Sequence, residues 1–444
     1  MLKQELYKIF ANRAMVIFIG VIFLVNIIQL VYLENDKNSY PIASYNAVWN
    51  ELYEREEAGE SWSELLTELQ GEITGISQMY RGEEQGTYVA RYTGNVRAES
   101  RLFERAQSEI AFSLEYEEYL ANIEATKNRF QSFGGLIEKD TYVYRNLIKN
   151  AKAYENIKAK ELVPEASAGV ELASHSDVTD FLALILILYF GITVWIKEKE
   201  QGVLLLIRTS GKGRKSLAVT KLTALVIACV VSVIGLYVSN LLVAERLYGL
   251  GDMSRPLASV YMYGTTVWDI SVGRFLILNI LVKLLSYIWN AFLISIICCK
   301  LANSTIAFAG ILGLSGISCL LYYKVPNLSA FVAVKYLNPF AMIKTEFLFG
   351  GYRGLNFFGY PIDYRACVLF VLVVGLLLFA YLTVAFFVQP VIRSSKVRFK
   401  LIDNISSVWV RVRRRMEMHT GIVRHELHRV LVSYKIVFVI IAAL

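Results

Sequence analysis

The segment 211–216, GKGRKS, combines glycine, lysine and serine as a phosphate-cradling loop would. Such a loop needs Gly, four residues, then Gly-Lys-Ser/Thr, because its backbone N–H groups wrap the phosphates while the lysine reaches over them. Here Lys212 is followed by Gly213, and the place of the first glycine is taken by Leu206. The five cysteines (Cys229, Cys298, Cys299, Cys319, Cys367) lie in or beside apolar runs without CxxC spacing. The four histidines (His175, His419, His425, His428) form no HExxH pair. Metal ligation and redox chemistry need those spacings to bring donors together, so no metal site is expected. No Ser/His/Asp or Cys/His set is apparent, and no catalytic residue is assigned.

One charge stands where charge is expensive. Lys283 lies well inside an uninterrupted apolar run. A lysine at mid-bilayer costs about 2.5–3.5 kcal/mol, and each Leu, Ile, Val or Phe returns about 0.3–0.6 kcal/mol. Residues 275–297 hold fifteen of these, so the segment still inserts. Snorkelling towards Arg274, nine residues away, is the simpler account of Lys283. Lining an anionic path is the functional one, and it makes Lys283 the substrate-path candidate. No Asp or Glu falls in the core of an apolar run, and Asp180 sits at an edge. A proton- or sodium-coupled carrier normally places acids at the midplane, so energy is expected from another source.

The elements that hold these residues follow from hydropathy. Of 444 residues 55% are hydrophobic, and the excess gathers into six runs: 14–33, 179–196, 222–243, 275–299, 305–323 and 367–388. Each is long enough to cross about 30 Å of hydrocarbon as a helix. All seven prolines lie outside these runs, as helices with no lipid hydrogen-bond partner require. The first run has about 20 apolar residues and no small-residue cleavage site, so it reads as a retained span rather than a signal peptide. Gly310, Gly313 and Gly316 in the fifth run form a small-residue face suited to close helix approach.

Charge sets the orientation. Residues 34–178 hold 26 acids against 15 bases, a net of −11, while the whole chain is +8. The short basic segments 1–13, 197–216 and 393–415 alternate with the spans so that all three face the cytoplasm. The expected location is the cell membrane, with the N-terminus cytoplasmic and 34–178 extracellular. Bases that hug span ends belong to the inner membrane surface, and no nucleic-acid partner is expected.

The acidic block has helical stripes. Val48, Leu52, Trp62, Leu65, Leu66, Leu69, Ile73 and Ile76 form one, and Leu102, Phe103, Ala106, Ile110, Leu114 and Ile123 a second within 96–133. Leu147, Ala151, Tyr154 and Ile157 form a third. Three or four such helices bury one modest core, and 75–95 is polar and glycine-rich enough to be a loop.

Between the second and third runs the chain reads E-x-E-x-G-x-L-L-x-I-R-T-S-G-x-G-R-x5-T-K from Glu198 to Lys221. This resembles the first cytoplasmic loop of permease subunits of type-2 ATP-binding-cassette (ABC) exporters. Residues 1–13, with Leu2, Leu6 and Ile9 on one face and Lys3 and Lys8 off it, resemble that family's amphipathic elbow helix. The segment YLNPFAMIKTEFLFGG, with Asn338 and Pro339, resembles its re-entrant segment at 335–360. The resemblance covers 1–33 and 179–390; the 34–178 insertion departs from the simplest members and bears on substrate class.

The resemblance implies an all-α polytopic membrane protein with six transmembrane helices and a helical extracellular domain. It implies the transmembrane subunit of an ATP-driven exporter of a hydrophobic, peptide or lipid-like substrate. ATP and Mg belong to a separate cassette ATPase partner, expected as a dimer, and this chain is not itself an enzyme. Leu204, Leu205 and Ile207 supply the apolar anchor of a coupling helix, Gly202 its turn, and Glu198, Glu200, Arg208 and Arg214 a polar rim. An amphipathic helix lying on the inner leaflet is the alternative for the loop. A mechanotransmission permease without substrate passage and a membrane sensor are alternatives for the whole chain. Finally, 425–444 echoes 4–23 at a constant offset of 421, Glu426 matching Glu5 and Val437 matching Val16. A basic linker and second elbow helix at 391–430 followed by the start of a seventh span at 431–444 are expected. The second permease half is then fused to the first, or supplied by a homodimer.

Overall fold

The computed structural model of the chain describes residues 1–389 except 38–39, 82–87, 133–139, 156, 158–160, 210–212, 302, 327–328 and 330. Within helices, the side chains of 33–37, 80, 205 and 208 are likewise left undescribed. The linker and seventh-span start expected at 391–444 lie outside the described residues.

Helix α1 (Leu2–Phe10) precedes α2 (Arg13–Lys37), the first span. On α1 the buried positions are Glu5 and Ile9, one turn apart, while Leu2 is exposed. The expected apolar face is therefore half polar, for a reason given below. On α2 the buried seam is Met15, Phe18, Ile22, Asn26 and Leu30, at helical spacing, and the opposite face leaves Ile17, Leu24 and Ile28 exposed as a lipid-facing span should. Asn26 faces inward and is bonded to Asn240 and Thr179, an interhelical polar tie of the kind that joins spans.

The insertion holds α3 (Ile42–Glu57), α4 (Trp62–Arg81), α5 (Val96–Leu114), α6 (Tyr116–Ser132), α7 (Tyr142–Tyr154) and α8 (Ala168–Ser174). Tyr45, Val48, Trp49 and Leu52 of α3 meet Leu65, Leu69 and Ile76 of α4 and Leu102, Phe103, Ala106 and Ile110 of α5 in one core. The 96–133 stripe is two helices rather than one: α5 closes at Glu115, whose N–H bonds Ala111 O, and Leu114 is exposed. The loop before α5 is fastened by Glu99, whose carboxylate accepts the N–H groups of Arg91, Tyr92 and Thr93. Burial works against that charge, but these bonds hold the Glu99 carboxyl below its ordinary range.

The chain then runs through α9 (Asp177–Trp195), α10 (Lys197–Glu200), α11 (Val203–Thr209), α12 (Lys215–Leu247), α13 (Val272–Lys300) and α14 (Ser304–Lys324). Short α15 (Val332–Tyr336) and α16 (Glu346–Phe349) precede strands β1 (Gly354–Phe357) and β2 (Tyr360–Asp363), and α17 (Tyr364–Val388) follows. Among the described residues, six helical stretches are long and apolar enough to cross a membrane.

The fold is mostly helical, but β1 and β2 form an antiparallel hairpin that the all-α expectation lacked. Its tip, Phe358–Gly359, has both φ angles positive, the geometry of a two-residue hairpin turn. The hairpin rests on α7: Tyr142 OH donates to Gly354 O, and Lys149 Nζ to Pro361 O at 2.6 Å. The contacts place α1, α10, the end of α13 and the start of α14 at one end of the bundle. The loop 248–271, α8, α16 and the hairpin lie at the other. Among the described residues, a Cβ built on Gly310, Gly313 or Gly316 meets no atom within 4 Å, so this stripe is open.

Candidate functional site

Two clusters of buried charge hold the bundle, one at each end. The first fixes the 197–214 segment. Glu198 is 6% exposed and lies between two lysines. Lys221 Nζ, on α12, is 3.0 Å from Glu198 Oε2 and 3.1 Å from Glu5 Oε2 of α1. Lys8 pairs with Glu198 and, at 2.7 Å, with Glu5. Lys221 also donates to Val194 O at 2.7 Å. Two carboxylates and two ammonium groups thus neutralise one another where water is scarce, the arrangement that makes buried charge tolerable. This is why Glu5 sits on the buried face of α1.

The next two residues tie the segment to the far side of the same end. Lys199 Nζ donates to the carbonyls of Cys298, Cys299 and Leu301 at 2.7, 2.7 and 3.1 Å, closing the C-terminus of α13. Glu200 Oε1 accepts Ser304 N–H at 2.7 Å, capping the N-terminus of α14. Both pairings suit helix-end polarity. Glu198 is therefore buried within the chain, whereas Glu200 caps α14 and stays exposed.

Gly202, with φ +74°, turns the chain from α10 into α11 in a conformation that favours glycine. On α11, Leu204 is 5% exposed and packs inward, so it is not part of the outward anchor. Ile207 is half-buried. Among the described side chains, the apolar groups that α11 offers outward are Val203 and Leu206, the latter 74% exposed. Arg214 is exposed at the N-cap of α12. The side chains of Leu205 and Arg208 lie outside the described residues. The reading from residues missed Leu206, Lys221 and Glu5. An acid spaced one turn from a buried isoleucine on α1 was the one signal available for Glu5.

The second cluster centres on Asp180, in the first turn of α9 and 4% exposed. Lys283 Nζ donates to its two carboxylate oxygens at 2.7 and 2.9 Å. The hydroxyls of Tyr287, at 3.0 Å, and Tyr237 donate to the same carboxylate. Lys283 is 1% exposed and points across the bundle, so it does not snorkel to the outer face near Arg274. Asp180, set aside as an edge residue, is the reason Lys283 can stay inside. The segment after α14 completes the cluster: Lys344 pairs with Asp177 and lies 3.7 Å from Asp180, while Glu346 pairs with His175 at 2.6 Å.

Asn338 and Pro339 sit deeper. Asn338 Oδ1 accepts the N–H groups of Phe340 and Ala341, and its amide donates to Lys335 O at 2.8 Å, forming a tight turn. Pro339 O accepts Asn290 Nδ2 at 3.3 Å. Asn290 is about 27 Å along α13 from its start, at 1.5 Å per residue. By Leu348 and Phe349 the chain is back at the 248–271 loop, where Trp268 and Thr266 donate to their carbonyls. Residues 332–349 thus dip into the bundle and return, carrying Lys344 and Glu346 to Asp177, Asp180 and His175.

Comparison with protein-family models, with curated proteins and with solved structures gives no match.

Proposed function

We propose that this chain is the membrane-spanning subunit of an ATP-driven ABC exporter, coupled through 197–214 to a separate cassette ATPase. The observation that carries this is the construction of α11. It shows Val203 and Leu206 outward, yet its root is bonded to α1, α12, α13 and α14 through Glu198, Lys199 and Glu200. Force on an amphipathic helix held in this way passes directly into several helices, whereas a helix lying loosely on lipid needs no such root. On this reading α1 and 197–214 are cytoplasmic, the insertion is extracellular, and the substrate is hydrophobic, peptide or lipid-like. A second permease half, fused or as a second copy, completes the path.

The test is Leu206→Asp in the full chain, co-expressed with a cassette ATPase that co-purifies with the wild type. A charge forced into an apolar groove costs several kcal/mol, enough to empty a micromolar complex. The variant should reach the membrane in wild-type amount and lose the ATPase on purification. Retention of the ATPase with unchanged hydrolysis would mean that α11 is only a surface helix.

A further inference from the structure

Three helices of the insertion, α3, α5 and α8, meet at a buried acid that neither the spans nor the 197–214 segment uses. Glu109 of α5 is 2% exposed. Its Oε2 accepts Tyr45 OH of α3 at 2.8 Å, and its Oε1 lies 2.7 Å from Arg105 Nη2. The same Arg105 nitrogen is 2.8 Å from Glu171 Oε1 of α8. Tyr45 OH in turn accepts the N–H of Ser167 at 3.3 Å and of Ala168 at 3.5 Å, at the start of α8. Glu171 also accepts Met262 N–H at 3.0 Å. The ionisable groups around Glu109 are thus Tyr45 from α3, Arg105 from its own helix and Glu171 from α8, with the Tyr261 ring stacked 5.0 Å from Arg105.

We propose that Glu109 is a proton-operated latch that couples α3 and α5 of the insertion to α8, and through α8 to the span α9. Two carboxylates share one guanidinium here. With a proton on Glu109, Arg105 and Glu171 form a neutral pair and α5 sits against α8 without excess charge. Without it, a net negative charge is buried where little water reaches, and separation of α5 from α8 relieves it. Burial, only partly offset by Arg105 and reinforced by Glu171, pushes the Glu109 carboxyl up to about 7, so the exchange falls where the pH of a cell's surroundings varies. One tertiary contact and one local bond carry the motion on. Gly169 of α8 is packed so closely on the turn after α12 that a Cβ there would lie 1.9 Å from Gly249 O. His175 N–H, at the end of α8, bonds Glu171 O at 2.8 Å, two residues before α9 begins.

The test uses the full chain in lipid nanodiscs and needs neither ATPase nor substrate. Amide exchange of 167–175 is followed from pH 5.5 to 8.5 and corrected for the intrinsic pH dependence of exchange. The wild type should show exchange that rises from pH 5.5 and levels off near pH 7, a step of roughly tenfold or more, equivalent to at least about one pH unit of linkage below the raised value. Glu109→Gln should exchange slowly throughout, and Tyr45→Phe, which removes a donor to the carboxylate, should move the step to higher pH. A wild type without a step, a step that survives in Glu109→Gln, or an unmoved midpoint in Tyr45→Phe overturns the latch. The Tyr45→Phe arm decides the matter if Glu109→Gln does not fold.

Discussion

Asp180, in the first turn of α9, and Lys283, three turns into α13, form an ion pair 2.7 Å long with side chains no more than 5% exposed. Separated by 103 residues, they explain each other: neither charge is tolerable inside the bundle alone. Removing one partner of a buried pair costs about 3–5 kcal/mol, whereas replacing both is often nearly neutral. Lys283→Met should therefore lower the thermal midpoint of the purified chain sharply. Adding Asp180→Asn should recover most of the loss, because Tyr237 and Tyr287 can still donate to the amide oxygen. A double variant no better than the single one would show that the pair is not what holds Lys283 inside.

Lys221 plays the corresponding part at the other end. Lys221→Met leaves Glu5 and Glu198 sharing only Lys8, and α1 should loosen from the bundle. A cysteine at Ile9, which is 0% exposed, reports this through its thiol labelling rate. The rate should rise at least about tenfold in the Lys221→Met background, the effect of 1.4 kcal/mol of local opening. Equal rates would mean that α1 is held by its apolar contacts alone.

Two glycine substitutions should part in sign. At Gly169 an added methyl would lie 1.9 Å from the Gly249 carbonyl oxygen, so backbone must move and stability should fall by more than 1 kcal/mol, on the order of overpacking costs. At Gly310 nothing lies within 4 Å and the residue is mid-helix. Gly310→Ala should be neutral or stabilising by up to about 1 kcal/mol through helix propensity. Thermal unfolding of both variants checks the contrast, and a milder effect at Gly169 than at Gly310 would refute it.

Stability of the insertion should fall with rising pH. The Glu109 carboxyl is raised from 4.5 to about 7 in the folded chain. Between those values the folded state holds a proton that the unfolded state has released, so the slope of stability against pH is negative there and levels off above about 7. Glu99 shifts the opposite way, its stabilisation being lost as pH falls below the ordinary carboxylate range, so the two windows do not overlap. Urea midpoints read from amide exchange in α5 should decline from pH 5 to pH 7 and be flat in Glu109→Gln. A flat wild-type profile would contradict the raised value.

Sidedness follows from charge. In intact cells, a cysteine at Glu60 should react with a membrane-impermeant thiol reagent and one at Lys215 should not. The reverse pattern would invert the topology.

The spans and the stripes of the insertion were legible because each rests on local pattern. Eighteen or more apolar residues in a row have few other places to go than a bilayer. Val48, Leu52, Leu65 and Leu69, or Leu102, Ala106 and Ile110, repeat at the period of a helix face. What needed the tertiary structure was every matter decided by a partner distant in the chain. Asp180 reads as an edge acid until Lys283 arrives from α13 and Lys344 from the 325–349 segment. Glu198 reads as part of a rim until Lys8 of α1 and Lys221 claim it. On α11, two turns long, periodicity could not tell which leucine faces in, and packing chose Leu204 inward and Leu206 outward. The hairpin escaped notice because its strands are four residues each, too short for alternation to register, and depend on α7 for their contacts. Hydrophobicity acts residue by residue and can be read in order along the chain. Charge inside a bundle is stable only in pairs, and the pairing is a property of the folded shape.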